Sequence, residues 1–550
     1  MKPQEYIRNS IKEALKKAGI ELEDDRLLNL ERPKQEDFGD ISSPVAMSLA
    51  RIAKKAPRQI AGEIVRHLEL DPFYIEKVEI AGPGFLNFYL AKGCMQQAIL
   101  DILNEKEKYG SGDLGGGTRV QFEFVSANPT GPLNVVSARA AAVGDVLANL
   151  FRQVGYDVQK EYYVNDAGRQ VRLLGASLSA RYMTELGHEE PVPEDGYHGE
   201  YLRDLAKEII ARDGDKYVAL SPQQRQETLS QIALEYLLER QKKSLQAYRL
   251  TFDNWFREST LRREKAHEKI LEKFARENLS YEKDGAIWFK SSQFGDEKDR
   301  VLVTSQGEPT YFLIDIAYHQ NKYDRGFEIL YDLWGPDHHG YIDRMRAAIV
   351  ALGHPAESFH VAIIQQVNLL RSGKAVKMSK RAGEIIEMDE LIEEVGVDAA
   401  RYFFVDRRIS QPLDFDIDLA KKQSDENPVY YVQYAHARIC NIFRFARERG
   451  YELPASADAS PLGTTHELAV IKKLIDFPEV ISRAAQNLEP HRLTNYLHET
   501  ATVFHRFYHD NRVVTDDKKL TEARLLLAEA TRIVLANGLN ILGITAPENM

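Results

Sequence analysis

The sequence predicts a multidomain protein centred on an α/β, Rossmann-like parallel-sheet domain, flanked by an N-terminal α+β module and a C-terminal α-helical bundle. Three observations predict it. At 550 residues the chain exceeds what one hydrophobic core supports, since domains run to about 100–200 residues. From residue 119 onward, short β-type runs alternate with amphipathic helical stretches, the rhythm of parallel βαβ units. After Phe415 strand signals largely vanish and helical periodicity continues to the end.

Each element follows in order. Ile7, Ile11, Leu15 and Ala18 fall at helical spacing, and Gly19 suits the C-cap. Further helices are expected over Val45–Ala56 and after Pro57, then short strands at Ile75–Ile80 and Phe85–Leu90 around the turn Gly82-Pro83-Gly84. This module takes residues 1–110. Gly110, Gly112 and Gly115 spell G-x-G-x-x-G, but the run precedes a strand instead of following one, so it reads as a linker. The α/β domain takes 111–415: strand Val120–Val125, turn Asn128–Pro132, helix Asn134–Phe151 and strand Tyr156–Tyr163. Charged helical runs such as Gln223–Leu245 and Leu261–Asn278 mark a mostly helical insertion over about 171–294. Strand signals return at Val301–Thr304, Glu328–Trp334 and His360–Gln366, with a helix over Tyr341–Leu352, and are assigned to the same parallel sheet. Residues 416–550 carry helices over Glu426–Arg447, Glu467–Ala484, Pro490–Tyr508 and Glu522–Leu542, with a loop at Pro454–Gly463.

Composition excludes several classes. Lys+Arg 72 against Asp+Glu 83 gives a net charge of −11, so the overall field disfavours polyanions and any nucleic acid must meet local basic patches. The two cysteines, Cys94 and Cys440, cannot form a disulfide scaffold or a Cys-rich zinc module, and suit a reducing compartment as buried small hydrophobes. No apolar run is long enough to span a membrane, and the N-terminus has no secretion-signal pattern, so a cytoplasmic protein is expected.

The sharpest chemical signal is the cationic loop Lys377-Met378-Ser379-Lys380-Arg381, which follows the last predicted sheet strand. Ligands of open α/β sheets bind beyond the carboxyl ends of the strands, where this loop sits. Phosphoryl or nucleotidyl transfer needs cations aimed at oxygens that gain charge, although a solvated basic loop reads the same. A second signal lies at the same edge. The run Ser126-Ala127-Asn128-Pro129-Thr130-Gly131-Pro132-Leu133-Asn134-Val135-Val136-Ser137-Ala138-Arg139 ends a strand and opens a helix, whose first N–H groups and dipole favour an anion. Asn134 and Ser137 add neutral donors. His338 and His339 are adjacent with no cysteine nearby, so no metal site is expected. In the helical region Tyr430, Tyr431, Tyr434, His436 and Arg438 lie close together, with Arg444, Arg447 and Arg449 beyond. Aromatics beside arginines suit stacking on unpaired bases; a tyrosine-rich core helix with a solvated basic end fits equally.

With these residues in view, the sequence resembles the class I aminoacyl-tRNA synthetases and, within them, the arginyl-tRNA synthetases. The likeness covers nearly the whole chain. It rests on Glu36-Asp37-Phe38-Gly39-Asp40, Tyr162-Tyr163-Val164-Asn165-Asp166-Ala167-Gly168, Pro309-Thr310-Tyr311-Phe312 with Asp315-Ile316-Ala317-Tyr318-His319, and Trp334-Gly335-Pro336-Asp337-His338-His339-Gly340-Tyr341. Asp398-Ala399-Ala400-Arg401-Tyr402, the run Asn427–Arg438 and the end Ala546-Pro547-Glu548-Asn549-Met550 complete it.

The resemblance implies an ATP-dependent arginine–tRNA ligase that uses Mg²⁺, L-arginine and tRNA(Arg), acts as a monomer and activates arginine with tRNA present. It places ATP on Ala127 to Ser137, Gly335, His338 and the loop Lys377, Met378, Ser379 and Lys380, with Lys377, Ser379, Lys380, Asn134 and Ser137 acting in catalysis. It assigns Glu123 and Asn128 to the α-amino and carboxyl end of arginine, and Tyr311 with Asp315, and Asp337, to its side chain. Charge agrees: a guanidinium is a planar fork of donors best met by carboxylates. It makes residues 416–550 an anticodon-binding domain, with Tyr430, Tyr434, His436, Arg438, Arg444 and Met550 on tRNA, and the N-terminal module a second tRNA contact. One departure stands out. Where the family reads His-x-Gly-His, this chain has Asn134-Val135-Val136-Ser137. Both phosphate-donating histidines are replaced by uncharged donors, and Val136 stands where a glycine lets adenine lie against the backbone. That departure also admits a tRNA-binding paralogue that has lost ligation and acts as a regulator or carrier.

Overall fold

The computed structural model describes residues 2–22, 24, 27–33, 38–376, 386–454 and 458–550. Lys377, Met378, Ser379, Lys380 and Arg381 lie outside the described residues, as do Glu36 and Asp37.

Near the N-terminus the helix Pro3–Lys17 buries Ile7, Ile11, Ala14 and Leu15 at the expected spacing. Beside it Ile41–Ser43, Phe85–Leu90 and Ile75–Ala81 form an antiparallel three-stranded sheet with Phe85–Leu90 in the middle. The central sheet has five parallel strands: β1 (Arg119–Glu123), β2 (Asp157–Val164), β3 (Asn254–Arg257), β4 (Ile329–Trp334) and β5 (Phe359–Ile363). Their order is β5-β4-β1-β2-β3. The chain runs outward from β1 to β3 and then returns to β1's other flank with β4. Strand order therefore reverses between β1 and β4, and the crevice beyond their carboxyl ends is where such sheets hold ligands.

The helices that matter for the site are α1 (Val135–Gln153), α2 (Pro222–Ala247), α3 (Glu258–Arg263), α4 (Tyr311–Asp324), α5 (Ile342–Leu352), α6 (Val397–Val405) and α7 (Pro428–Glu448). Helix α1 is nearly all buried because Ala138, Ala141, Ala142 and Gly144 let it lie tight on the sheet. At Gly144 a Cβ would overlap the Phe124 ring.

Three strand assignments change. Arg300–Val303 does not join the parallel sheet; it pairs antiparallel with Ala286–Phe289, which pairs with Ser280–Lys283. The insertion also contributes a central-sheet strand, β3, whose four residues are too short for periodicity to reveal within a charged region. The run His360–Gln366 likewise divides. β5 stops at Ile363, and Val367–Arg371 begins a separate sheet with Lys374–Ala375 and Leu413–Asp416.

The C-terminal region is helical, and the stretch over Glu467–Ala484 breaks into Thr465–Ile475 and Phe477–Gln486. Pro478, in the first turn of the second helix, cannot continue the first. A buried ionic joint ties this region to the α/β domain. Arg401 of α6, with no exposed surface, donates to the carbonyls of Leu542 (2.7 Å) and Tyr248 (3.1 Å) and to Asp145 of α1 (2.5 Å). Asp145 also accepts from Lys160 of β2 at 2.9 Å. Gly543 passes over this guanidinium at φ +68°, where any Cβ would overlap it.

Candidate active site

The turn after β1 is strained and held from several sides. Val125 and Ser126 sit at φ 68° and 38°, in the left-handed region that side chains disfavour, a β-branched one most of all. Ser126 Oγ donates to Glu123 Oε1 (3.0 Å) and accepts the Tyr163 N–H (3.1 Å). Further along, Tyr162 donates its hydroxyl to the Ala127 carbonyl at 2.9 Å, and Tyr201 to that of Thr130 at 2.5 Å. Gln241 of α2 donates its amide to the carbonyls of Asn128 (3.2 Å) and Gly131 (2.9 Å). The insertion thus fixes the turn that carries Ala127, Asn128, Pro129, Thr130, Gly131, Pro132 and Leu133. Pro129 and Leu133 are buried, while Asn128 faces solvent at the crevice.

Asn134 caps α1. Its extended backbone lets Oδ1 accept the Ser137 N–H at 3.1 Å, and Ser137 Oγ lies 3.4 Å from the same oxygen. The Ser137 amide is therefore spent on the cap. Among the described residues no partner is found for the Asn134 side-chain amide or the Val136 backbone N–H, and the Val136 side chain is 42% exposed. Met388 N–H donates to the Leu133 carbonyl at 2.8 Å, which ties the segment from Ile386 onward to this helix start. Arg139, one turn in, is fully buried without a carboxylate. It donates to the carbonyls of Gln365 (2.7 Å), Gln366 (3.3 Å), Gln411 (3.0 Å) and Arg408 (3.2 Å), and burial pushes its pKa down to about 10. It pins the exit from β5 to α1.

A buried charge cluster lies beneath the crevice, between the sheet and α4. Lys322, with no exposed side-chain surface, donates to Glu123 Oε2 (2.6 Å) and Asp332 Oδ1 (2.9 Å). His319 sits between Asp332 Oδ2 (2.9 Å) and the Asp315 carbonyl (2.8 Å). Glu161 receives both arms of Arg325 (2.5 and 2.8 Å) and the Tyr318 hydroxyl (2.7 Å). On the insertion side, Glu258 is 2% exposed and takes Arg262 at 2.8 and 2.6 Å. Burial raises Glu123 above the usual carboxylate range, against the pull of Lys322, whereas Asp332 is held down at about 2 by Lys322 and His319 against its burial.

Asp315 differs from these acids. It is 9% exposed, and its bond is to a phenol: Tyr341 donates to Oδ2 at 2.7 Å. Among the described residues no cation pairs with it. Burial pushes its carboxyl well above the ordinary range, and the charges of Glu123, Glu258 and Asp332 add to that push. A buried carboxylate without a cation is costly unless a ligand supplies one. Tyr311, on the same helix, is 58% exposed, and the Asp315 charge, ahead of burial, raises its phenol. Tyr163 is 5% exposed, and its burial, with the nearby Glu258 and Asp315 charges, raises its phenol.

Of the expected arginine contacts, Glu123, Tyr311 and Asp315 come together at this edge of the sheet, with Asn128 on the turn above. Asp337 does not join the buried acids. Its side chain is 80% exposed and pairs with His338 at 3.4 Å, because the tight turn after Gly335 carries it outward. His338 is 54% exposed, one strand over from the capped helix. The sequence reading missed Lys322, Glu258 and Tyr341 as site residues. Tyr341 lies in the run Trp334–Tyr341, so a signal existed; Glu258 opens a six-residue helix and gave none.

Along α7, Tyr430 and Tyr434 stack at 6.1 Å, and Arg438 lies over the Tyr434 ring (4.5 Å) while donating to its hydroxyl (2.7 Å). Arg449 covers the exposed Phe445 ring at 3.6 Å. Tyr434, Arg438, Phe445 and Arg449 line a cavity of about 840 Å³ with Tyr508 and Arg512. His436 faces the other way. At 2% exposure it is buried and bonds the Pro547 carbonyl at 2.8 Å, so it anchors the C-terminal tail instead of offering a surface to RNA. Arg444 donates to the Glu548 carbonyl at 2.6 Å, leaving Met550 49% exposed beside it.

Residues 5–90 match the family described as the arginyl tRNA synthetase N terminal domain, 98–411 the class I (R) tRNA synthetase catalytic domain, and 432–550 the DALR anticodon binding domain. The arginine–tRNA ligase of Carboxydothermus hydrogenoformans is 49% identical over 99% of this chain and 98% of its own. Arginine–tRNA ligase 1 of Halalkalibacterium halodurans is 46% identical over 100% and 99%. The solved arginyl-tRNA synthetase of Thermus thermophilus shares the fold, with a TM-score of 0.80, 23% identity and full coverage of both chains. The chain belongs to the arginine–tRNA ligase family of class I aminoacyl-tRNA synthetases, and it is a ligase.

Proposed function

We propose that this ligase binds ATP along the turn 127–137 and L-arginine over Asp315, joins them as arginyl-adenylate, and passes the arginyl group to the 3′ adenosine of tRNA(Arg). The observation that carries this reading is the buried Asp315 carboxylate, paired with no cation among the described residues and close to Glu123 and Asp332 of the two strands between which strand order reverses. The arginine carboxylate attacks the α-phosphorus and pyrophosphate leaves. The terminal adenosine hydroxyl then attacks the adenylate carbonyl, and AMP leaves. Little covalent work falls to the protein, so rate comes from alignment and charge stabilisation.

The Asn134 side-chain amide, the Val136 N–H and the α1 dipole meet phosphate oxygens, and Ser137 supports them through the shared cap. Gly335 and His338 border the nucleotide. Lys377 and Lys380, with Ser379 between them, neutralise the departing pyrophosphate. Mg²⁺ arriving with ATP would supply charge neutralisation on the phosphate oxygens; among the described residues no group of three or more His, Cys, Asp or Glu forms a cage for a metal ion. Tyr311 and Asp315 take the guanidinium, and Asn128 the backbone end of arginine. Glu123, bound by Lys322 and Ser126, offers its remaining lone pairs to the α-amino group. Tyr430, Tyr434, Arg438 and Arg444, with Met550, meet the anticodon arm, residues 416–550 being the domain that carries them and 1–110 a second tRNA contact. No helix among the described residues is long and apolar enough to cross a membrane; we place the enzyme in the cytoplasm as a monomer.

Charging of tRNA(Arg) with labelled arginine, with ATP and Mg²⁺ present, tests the reading. Arginine esterified to the 3′ end supports it, and tight tRNA binding without any charging overturns it. The neutral cap gives a finer test. Asn134→Asp keeps a cap of equal quality but removes the amide donor and adds negative charge beside the phosphates. The KM for ATP rises about tenfold or more, while the thermal midpoint stays at the wild-type value. An unchanged KM for ATP removes Asn134 from the phosphate site.

A further inference from the structure

We propose that Tyr341 is a positioning residue for guanidinium recognition: its hydroxyl fixes the rotation of the Asp315 carboxylate, so that the planar fork of arginine meets both oxygens. The inference rests on the assignment of Asp315 to the arginine side chain.

Three elements converge on the Tyr341 ring. The residue closes the turn Pro336–Tyr341 and immediately precedes α5. The ring meets Phe312 of α4 edge-on at 5.8 Å and 84°, and Trp334 at the end of β4 at 5.9 Å and 67°. The Arg344 guanidinium lies 4.9 Å from the ring centre. So held, the ring delivers its hydroxyl at 2.7 Å to Oδ2 of Asp315, which lies one turn along α4 from Tyr311. Burial, the Asp315 charge and the hydrogen bond to it all hold the Tyr341 proton on the phenol, so the hydroxyl stays a donor at neutral pH.

The terminal torsion of an aspartate has a broad well, and packing alone sets it poorly. An ionised carboxylate offers about four lone-pair sites; the Tyr341 hydroxyl occupies one and leaves the rest in a defined plane. A guanidinium reads that plane because its donors form a rigid fork, whereas an ammonium is a rotatable point charge that does not. Losing the hydroxyl therefore costs arginine more than lysine. The hydroxyl also stabilises the ionised carboxylate against the charged and phenolic groups that face it, namely Glu123, Glu258, Asp332 and Tyr311.

Tyr341→Phe tests this, since phenylalanine keeps the ring contacts and deletes only the donor. In tRNA charging assays the variant raises the KM for arginine about tenfold, with kcat and the KM values for ATP and tRNA within about twofold of wild type. Its preference for arginine over lysine falls, and the acid limb of kcat/KM for arginine moves to higher pH because the ionised carboxylate has lost a donor. An unchanged KM for arginine, or an equal loss in every parameter, overturns the inference. Asp315→Asn is measured alongside. If it leaves the arginine KM untouched, the arginine assignment of Asp315 fails; if it weakens arginine while Tyr341→Phe does not, only the role of Tyr341 fails.

Discussion

Asp315→Asn lowers kcat/KM for arginine by roughly 10²–10³, the loss expected when one partner of a buried, hydrogen-bonded charge pair is removed. The amide is nearly isosteric and still accepts from Tyr341, so the local geometry survives. The free protein becomes no less stable, because a carboxylate buried among like charges, with no cation paired to it among the described residues, is a standing cost. Activity thus falls without a loss of stability, which separates a binding carboxylate from a structural one. The pH profile gives an independent reading. Asp315 binds its proton at higher pH than an ordinary aspartate, and a guanidinium needs the ionised form. Hence kcat/KM for arginine falls as pH drops through that raised value, and Asp315→Asn flattens this limb. Wild-type arginine kinetics in the variant contradict the assignment.

Lys322→Met destabilises the protein by about 3–5 kcal/mol, the cost of stranding buried carboxylates without their cation. Lys322 has no exposed surface and serves Glu123 and Asp332 together, and methionine fills its volume but supplies no charge. The site suffers too, since Glu123 stands at the end of β1 and Asp332 fixes His319, which bonds the Asp315 carbonyl. Urea titration followed by residual charging activity reads the loss. Adding Glu123→Gln to Lys322→Met restores part of the stability, because one stranded charge is removed and the two sites are in contact. A single variant that unfolds with the wild type contradicts the account of the cluster.

The sequence carried much of this, and its blind spots have physical causes. Regular amphipathic helices announce themselves: Pro3–Lys17 and Val135–Gln153 end within a few residues of where their periodicity does. Orientation and partnership of short strands do not. Asn254–Arg257 joins the central sheet and Arg300–Val303 leaves it, yet each is a four-residue run with no periodicity to distinguish them. At the site, the resemblance named Glu123, Tyr311 and Asp315, but the residues that set their electrostatics come from distant segments. Lys322 reads as one more helical lysine until the fold buries it between two acids, and Glu258 as one more charge in a charged insertion. His436 shows the converse error: a histidine among tyrosines and arginines suggested RNA, and the fold turned it inward onto Pro547.

The departure at residues 134–137 bears on how a class I ligase holds ATP without its two histidines. The cap explains why asparagine suits the first position: its oxygen closes the helix while its amide remains a donor. Val136, 42% exposed, points away from the core, which leaves its side free for the nucleotide proposed to bind there. A crystal structure with a non-hydrolysable ATP analogue, Mg²⁺ and arginine bound tests this most directly. The phosphates are expected within hydrogen-bond distance of the Asn134 side-chain amide and the Val136 N–H, with adenine alongside Val136. Triphosphate seated away from the start of α1 would contradict it.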